Sequence, residues 1–267
     1  MTADLARLQV LQRRLAARAD VAPPAGWLTV RLGQHAIGVT SPEVGRFLAA
    51  RQARCTVRDG VLQLAADGMD FRTRSALLAE IAQRLHEAGL LAGWRDEPLE
   101  VRPLGGGEAL ATIERAACRT LGIATSAVHM NAFTPQGALW VARRADHKAV
   151  DPGLWDNLVG GMVAAGETEL QALAREAREE AGLDLAALAL QRGGVVLERR
   201  PVPEGYLIER VQVFDTEIPA GVVPRNEDGE VAVIECWDAA AVVDEIERDG
   251  FTLEAALTTL DALLRRA

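Results

Sequence analysis

Cysteine, the residue that forms disulfides and many zinc sites, is scarce in this sequence. Among 267 residues there are three cysteines, Cys55, Cys118 and Cys236, and no two of them form a CxxC pair. We therefore expect the three cysteines to be buried as small apolar side chains in a protein of a reducing compartment. We expect neither a disulfide framework nor a zinc site.

Long hydrophobic runs are missing as well. Arg7, Arg13, Arg14 and Arg18 interrupt the first apolar stretch, so it does not resemble a signal peptide. No stretch approaches the ~20 apolar residues of a membrane span. The net charge of −9 argues against a general affinity for nucleic acids or anionic membranes. The sequence thus predicts a cytoplasmic protein with no nucleic-acid partner and no membrane partner.

The most strongly patterned stretch runs from Gly160 to Leu183 and reads GGMVAAGETELQALAREAREEAGL. Thr168 and Gln171 have the spacing of a capping box, which predicts the start of a helix. Gly182 is the residue type that ends a helix in a left-handed turn. Between them lies an apolar stripe at three- and four-residue steps: Leu170, Leu173, Ala174, Ala177 and Ala181.

Three glutamates, Glu176, Glu179 and Glu180, share one side of this predicted helix because they lie at positions i, i+3 and i+4. Carboxylates this close repel one another unless a cation lies between them. One interpretation is a solvated acidic face. The other is a Mg²⁺ site, because Mg²⁺ prefers oxygen ligands and shares them with substrate phosphates. The fixed spacing of glycines and of a glutamate–arginine pair around the cluster favours the metal site.

The stretch resembles the Nudix box, G-x5-E-x7-R-E-U-x-E-E-x-G-U with U aliphatic, and it matches every fixed position, Gly161 and Gly182 included. The resemblance implies an α/β fold, the Nudix α/β/α sandwich with a mixed sheet. It also implies hydrolysis of a diphosphate linked to another group, with Mg²⁺, or Mn²⁺ in its place, as the cofactor.

The same resemblance assigns roles to residues of the box. The implied metal ligands are Glu176, Glu179, Glu180 and the backbone carbonyl of Gly160, and Glu179 is also an implied catalytic residue. Glu167 and Arg175 are expected to brace the loop against the helix.

Two units are predicted: an N-terminal α+β domain over residues 1–124 and the Nudix domain over residues 125–267. The triglycine at residues 105–107 suggests a linker or a flexible turn near 103–107, followed by a helix over 108–119. Patterns in the first unit predict helices over 2–19, 41–51 and 73–86, strands over 27–32 and 35–40, and a hairpin across Asp59-Gly60. In the second unit, strands are predicted over 128–133, 138–143, 195–199, 206–218 and 231–236, and helices over 238–248 and 252–266.

Two loops of the second unit carry further candidate site residues. Arg144 and Lys148 follow a predicted strand and lead toward the glycine loop, so they are expected to bind diphosphate oxygens. The loop PRNEDGE (224–230) offers Glu230, and then Glu227, to align the attacking water. Asp228 lies in the same loop. An exposed basic loop and a solvated acidic turn are the respective alternatives.

The order VHMNAF, LWVARRADHK, DPGLWDNLVGG and PRNEDGEV resembles one Nudix subgroup, that of the C-terminal domain of fungal thiamine pyrophosphokinase and its free-standing relatives. The GWRDE motif at 93–97 matches the domain that precedes the Nudix domain in those relatives. The implied substrate is thiamine diphosphate, or an oxidised or damaged analogue, cleaved to the monophosphate. Trp155 is the expected ring-stacking residue for such a substrate.

Other functions remain open at this stage. The enzyme alternative is hydrolysis of a nucleoside diphosphate linked to another group, such as ADP-ribose. A non-catalytic binder with the Nudix fold is a second alternative, although its acidic cluster would be expected to be broken. An isomerase of the isoprenoid diphosphate type would need an active-site cysteine. In each case the partner is a small-molecule diphosphate, and a homodimer is compatible with the sequence.

Overall fold

The structure, a computed structural model, describes residues 5–227 and 229–267. Its helices are α1 (Leu5–Ala19), α2 (Pro42–Arg51), α3 (Phe71–Glu87), α4 (Arg115–Thr120), α5 (Glu169–Ala181), α6 (Ala239–Glu247) and α7 (Leu253–Arg266), with a 3₁₀ turn at Leu185–Ala187. Its strands are β1 (Leu28–Leu32), β2 (His35–Thr40), β3 (Cys55–Arg58), β4 (Val61–Leu64), β5 (Pro98–Val101), β6 (Ala111–Glu114), β7 (Thr125–Phe133), β8 (Leu139–Arg144), β9 (Trp155–Asn157), β10 (Val159–Met162), β11 (Gln191–Val202), β12 (Gly205–Glu217) and β13 (Val231–Trp237). No helix in the described ranges has the length and apolar character needed to cross a membrane.

The N-terminal unit is built on a four-stranded sheet in the order β2-β1-β4-β3. The predicted hairpin joins β3 and β4, and its two turn residues, Asp59 and Gly60, have φ angles of 50° and 76°. Positive φ at both central residues matches the twist of the flanking strands, which explains the Asp-Gly pair. Aliphatic side chains from these strands and from α2 and α3 form one core.

The first helix does not belong to that unit, contrary to the prediction. Leu8, Leu11 and Leu15 are buried against residues of α6 and α7, in the core of the second unit. The helical spacing of these leucines predicts an apolar stripe correctly, but it carries no information about which surface covers the stripe.

The triglycine is the turn of a hairpin rather than a linker. β5 and β6 pair as antiparallel strands on either side of residues 102–110. The helix predicted over 108–119 is accordingly shorter, because Ala111–Glu114 form β6 and the helix begins only at Arg115.

The second unit contains a mixed sheet in the order β11-β12-β7-β8-β13, with β10 also paired to β7 and β9 to β8. β7 and β12 run parallel, and the other pairs are antiparallel. Alternate residues of β7 face opposite layers: Val128 and Met130 pack with α5, whereas Phe133 packs with α7. The predicted α/β/α sandwich with an N-terminal α+β region is therefore confirmed.

Candidate active site

The glycine-rich stretch folds as a strand, a loop and a helix. The predicted capping box is formed: the Thr168 hydroxyl accepts a hydrogen bond from the backbone N–H of Gln171, and the Gln171 side chain accepts one from the backbone N–H of Thr168. Gly182 ends α5 in the left-handed region at φ 62°. The local geometry thus points the acidic end of α5 back toward β10.

Two of the three box glutamates turn inward. Glu180 is 9% exposed, and one carboxylate oxygen accepts a 2.9 Å hydrogen bond from the backbone N–H of Gly160. The side chain of Glu176 is 14% exposed, whereas that of Glu179 is 49% exposed. Burial raises the pKa of Glu176 and raises that of Glu180 well above its ordinary value. A solvated acidic face therefore does not describe Glu176 or Glu180, and a nearby cation would offset their desolvation. Glu179 lines the same cavity, and its role as a metal ligand or catalytic residue stays a prediction.

Arg175 ties the glycine loop to α5. Its guanidinium donates to both carboxylate oxygens of Glu167, at 3.0 and 2.9 Å, and to the carbonyl of Met162 at 3.1 Å. It also donates to Glu176 at 2.7 Å and approaches Glu179 at 3.5 Å. The hydrogen bond from Arg175 lowers the pKa of Glu167. This arrangement matches the bracing geometry expected from the sequence, and it leaves little of the guanidinium for a substrate.

Both glycines of β10 have neighbours that leave no room for a side chain. A Cβ at Gly161 would lie 2.1 Å from the carboxylate of Glu176. A Cβ at Gly160 would lie 3.0–3.2 Å from the ring atoms of His129. The glycines therefore permit a carboxylate on one side and an imidazole on the other to approach the backbone closely.

His129 belongs to a buried polar network that the sequence analysis missed. Its Nδ1 lies 2.7 Å from the side-chain oxygen of Asn157, which also accepts a bond from Thr258 at 2.6 Å. The Asn157 amide donates to Asn131 at 2.8 Å and to Thr259 at 2.9 Å. A signal existed, since His129 and Asn131 are polar residues at alternate positions of an otherwise apolar strand. The network fixes the ring that lies against Gly160.

Lys148 and Glu230 face the box from two other loops. They form an ion pair, and the hydrogen bond from Lys148 is the main reason that the pKa of Glu230 is lowered. The two loops are also joined by a 3.0 Å hydrogen bond from the backbone N–H of Ala145 to the carbonyl of Glu230. Both side chains line the same small recess as Gly160 and Glu180. Lys148 is the only lysine in the chain.

Arg144 also lines this region, but its guanidinium is engaged by the protein. It donates to the carbonyls of Val150, at 3.2 and 2.9 Å, and of Asp151 at 3.2 Å, and to the carboxylate of Asp156 at 3.0 Å. Arg144 therefore shapes the loop that presents Lys148. It also lines the recess, and its role in binding diphosphate stays a prediction.

Two candidate residues lie away from the box. Trp155 is partly buried and packs against Trp237 with ring centroids 4.3 Å apart, and it is not among the described residues that line the cavity next to the box. Glu227 lies beside Gly182, and its backbone N–H donates to the carbonyl of Glu179. It therefore lies at the end of α5 and is not among the residues that line the cavity next to the box. Asp228 lies outside the described residues.

A cavity of about 600 Å³ unites the box glutamates, Lys148, Glu230 and His129. That volume is within the ~300–1,000 Å³ typical of small-molecule sites. In residues 5–227 and 229–267, no set of three or more His, Cys, Asp or Glu side chains is arranged to hold a metal ion. Mg²⁺ usually takes one or two carboxylates and completes its shell with water and phosphate. Glu176, Glu180 and the carbonyl of Gly160 fit that requirement.

The cysteines do not take part in this cavity. Cys55 and Cys118 are buried, Cys236 is exposed, and none of them is among the described residues that line it. Burial raises the pKa of Cys118 to about 12, so its thiol is protonated and unreactive. A mechanism that relies on an active-site cysteine finds no support here.

Comparison with known proteins agrees with this arrangement. The family description "NUDIX domain" matches residues 123–251, and "Domain of unknown function (DUF4743)" matches residues 27–125. Nudix hydrolase 20, chloroplastic, of Arabidopsis thaliana is 31% identical over 230 residues, which cover 82% of this chain and 60% of that protein. Nudix hydrolase 24, chloroplastic, of the same plant is 31% identical over 212 residues, covering 76% and 57%. The chain thus spans about 60% of the length of the first of these relatives and 57% of the second.

The crystal structure of DR0079 from Deinococcus radiodurans is similar as well. It covers 64% of this chain and 98% of its own, with 25% sequence identity and a TM-score of 0.50. Together with the box geometry, these matches show that the chain is a homologue of Nudix hydrolases. In this chain the DUF4743 match precedes the NUDIX match.

Proposed function

We propose that the protein hydrolyses a diphosphate linkage in a small molecule, with Mg²⁺ as the cofactor. The observation that carries the proposal is the convergence of separate elements on one cavity. Glu180 is buried and Glu176 partly buried beside the glycine strand, and the Lys148–Glu230 pair reaches the same cavity from two other loops. A purely structural acidic helix would not need a lysine held in the same recess as its buried carboxylate.

Separate residues would bind the metal, orient the phosphate and align the attacking water. When bound, a divalent cation supplies polarisation of the phosphoryl oxygens. Glu176, Glu180 and the carbonyl of Gly160 would hold it. Lys148 provides a positive charge next to the recess, where it can orient a phosphate and stabilise the charge that develops during hydrolysis. Glu230, whose pKa is lowered by its hydrogen bond with Lys148, is a carboxylate at neutral pH and can align an attacking water by accepting a hydrogen bond from it.

The substrate proposal is thiamine diphosphate or one of its oxidised or damaged analogues, and it rests on the sequence resemblance alone. ADP-ribose or another nucleoside diphosphate derivative is the alternative. No Phe, Trp or Tyr is among the described residues that line the cavity. Selection of the organic group would therefore depend on charge and hydrogen bonding rather than on stacking.

The test is phosphate release from a panel of diphosphates with and without Mg²⁺. Hydrolysis should require the metal, and Glu180→Gln should lower kcat by on the order of 10²–10³, since a neutral amide is a poor Mg²⁺ ligand. Glu169→Gln is the matched control, because Glu169 lies on the same helix but pairs with Arg192 and Arg210. Metal-independent release, or equal activity of the two variants, would refute the proposed metal site, whereas no release from any diphosphate of the panel would favour a non-catalytic binder.

The same panel decides the substrate. Thiamine diphosphate or an oxidised analogue should have a higher kcat/KM than ADP-ribose in the presence of Mg²⁺. If kcat/KM for ADP-ribose is about tenfold higher, a difference of ~1.4 kcal/mol in transition-state free energy, thiamine diphosphate is rejected as the substrate. The proposal of diphosphate hydrolysis would be unaffected.

A further inference from the structure

The N-terminal unit forms one wall of the cavity that holds the Nudix box. Three of its arginines line that cavity: Arg95, from the loop after α3, and Arg115 and Arg119, both from α4. Arg115 and Arg119 are four residues apart, so they lie on the same side of the helix. The chain has a net charge of −9, so three arginines at one cavity wall are a local feature.

Contacts between the two units set this wall against the box. The backbone N–H of Ala165, in the glycine loop, donates to the carbonyl of Pro98 in β5 at 3.0 Å. Met162, at the end of β10, packs against the core of the N-terminal unit. A Cβ at Gly205 would lie 2.2 Å from the carbonyl of Arg119, so the end of α4 lies directly on the start of β12. The arginines are therefore held next to the box by backbone contacts.

These guanidinium groups differ from those of Arg144 and Arg175, which are engaged by the protein. Arg115 donates to Glu97 at 2.7 Å. Arg119 approaches Glu204 only at 3.9 Å, which is too long for a hydrogen bond. The Arg95 guanidinium makes no hydrogen bond or ion pair with any residue in the described ranges. Most of the donors on this wall are thus available to a ligand.

We propose that Arg95, Arg115 and Arg119 form an anion-binding wall, supplied by the N-terminal unit, which receives a phosphate of the substrate beyond the group held at the Nudix box. Planar guanidinium groups suit phosphate because they can donate two parallel hydrogen bonds to it. Glu230, on the Nudix side, lines the same cavity as Arg115, so the two walls are near enough to share one ligand. This assignment rests on the proposed function in that it names where a second phosphate of that substrate binds.

The first experiment measures kinetics of the full chain with a diphosphate that the panel shows to be cleaved. Arg95→Ala/Arg119→Ala should raise KM by about tenfold or more with a much smaller change in kcat, the signature of lost ground-state binding. Arg58→Ala/Arg72→Ala removes the same charge from exposed positions of the N-terminal unit and should leave KM unchanged. Arg95→Lys/Arg119→Lys should recover part of the loss, because it restores charge without the planar fork. A KM equal to that of the control would overturn the proposal.

The second experiment separates this proposal from the proposed hydrolysis. Calorimetric titration of inorganic pyrophosphate into the Glu180→Gln variant, without divalent metal, reports anion binding independently of turnover. Adding Arg95→Ala/Arg119→Ala should weaken the Kd by about tenfold or more, as expected for the loss of charge-assisted bonds. Dependence on these arginines in a protein that cleaves no diphosphate would reject the hydrolase and keep the anion site. An unchanged Kd would reject the anion site whatever the protein cleaves.

Discussion

The two units of this chain bury very different numbers of polar side chains. Before residue 123, four buried side chains in the described range are polar or charged, namely Thr40, Gln52, Glu114 and Thr120. From residue 123 onward there are fourteen, including the carboxylates of Asp156, Glu180, Glu198, Glu209 and Asp215. A buried polar group is costly unless it is hydrogen-bonded or paired, so this asymmetry needs a reason. The Nudix domain builds its site from buried carboxylates, whereas the N-terminal unit is an aliphatic scaffold that presents charge from its surface.

The largest effect should come from breaking the aliphatic scaffold. Leu78 is fully buried in the core of the N-terminal unit, and Leu78→Ala should lower the free energy of unfolding by about 2–5 kcal/mol. Urea unfolding measures this change, with Val57→Ala, at a 38% exposed position, as the control. The kcat of the folded protein should stay close to that of the wild type. A large loss of kcat at unchanged stability would contradict the scaffold interpretation.

Next in size is the effect of a methyl group in the Nudix box. Gly161→Ala places a Cβ where the Glu176 carboxylate lies, and that flexible side chain must move. Displacing such a group by about 1 Å can lower kcat on the order of 10²-fold with little change in Tm. Gly105→Ala, where the new Cβ would meet no atom within 4 Å, is the matched control in the N-terminal unit. Equal kinetics for both variants would show that the position of Glu176 is unimportant.

The buried network offers a smaller, stability-based test. Asn157→Ala removes the partner of four side chains and should cost about 1–3 kcal/mol, because buried donors and acceptors lose their bonds. In the N-terminal unit, the Thr40 hydroxyl makes one bond, to the carbonyl of Thr120, and Thr40→Val should cost less. Chemical denaturation of the two variants gives the comparison. The prediction is contradicted if Thr40→Val lowers the free energy of unfolding more than Asn157→Ala does.

The smallest expected effect depends on pH. Burial, together with the charges of Glu209 and Glu198, raises the pKa of Glu254 well above its ordinary value. The fold therefore favours the protonated carboxyl. The stability that this preference contributes is complete below the carboxyl's pKa in the unfolded chain and is lost as the pH rises through the folded-state pKa.

Glu254→Gln keeps the group neutral at every pH. Its Tm should exceed that of the wild type at pH 8, by about 2–4 °C for each kcal/mol gained, and the two values should converge near pH 4. Glu108→Gln, at an exposed position, should show no such pH dependence. Parallel Tm curves for Glu254→Gln and the wild type would argue against a raised pKa at this carboxyl.

Local patterns in the sequence predicted a large part of this structure. The capping box at Thr168 and Gln171, the left-handed Gly182 and the hairpin at Asp59-Gly60 all appear where the sequence places them. Each of these features depends on residues a few positions apart, and their backbone geometry follows from the residue type. The strands of the Nudix sheet were also located, although β9 and β10 were missed because they are only three and four residues long.

What the sequence determined by itself is therefore the set of elements and the convergence of Glu176, Glu179 and Glu180 on one side of α5, because i, i+3 and i+4 spacing acts within a single helix. Only the tertiary structure decided which of these carboxylates is buried, that the guanidinium of Arg144 is engaged by its own loop, and that the ring of Trp155 packs against Trp237. It also brought Arg95 to the cavity, although 81 residues separate Arg95 from Glu176. Such contacts depend on how distant elements pack, and the spacing of neighbouring residues does not specify that packing.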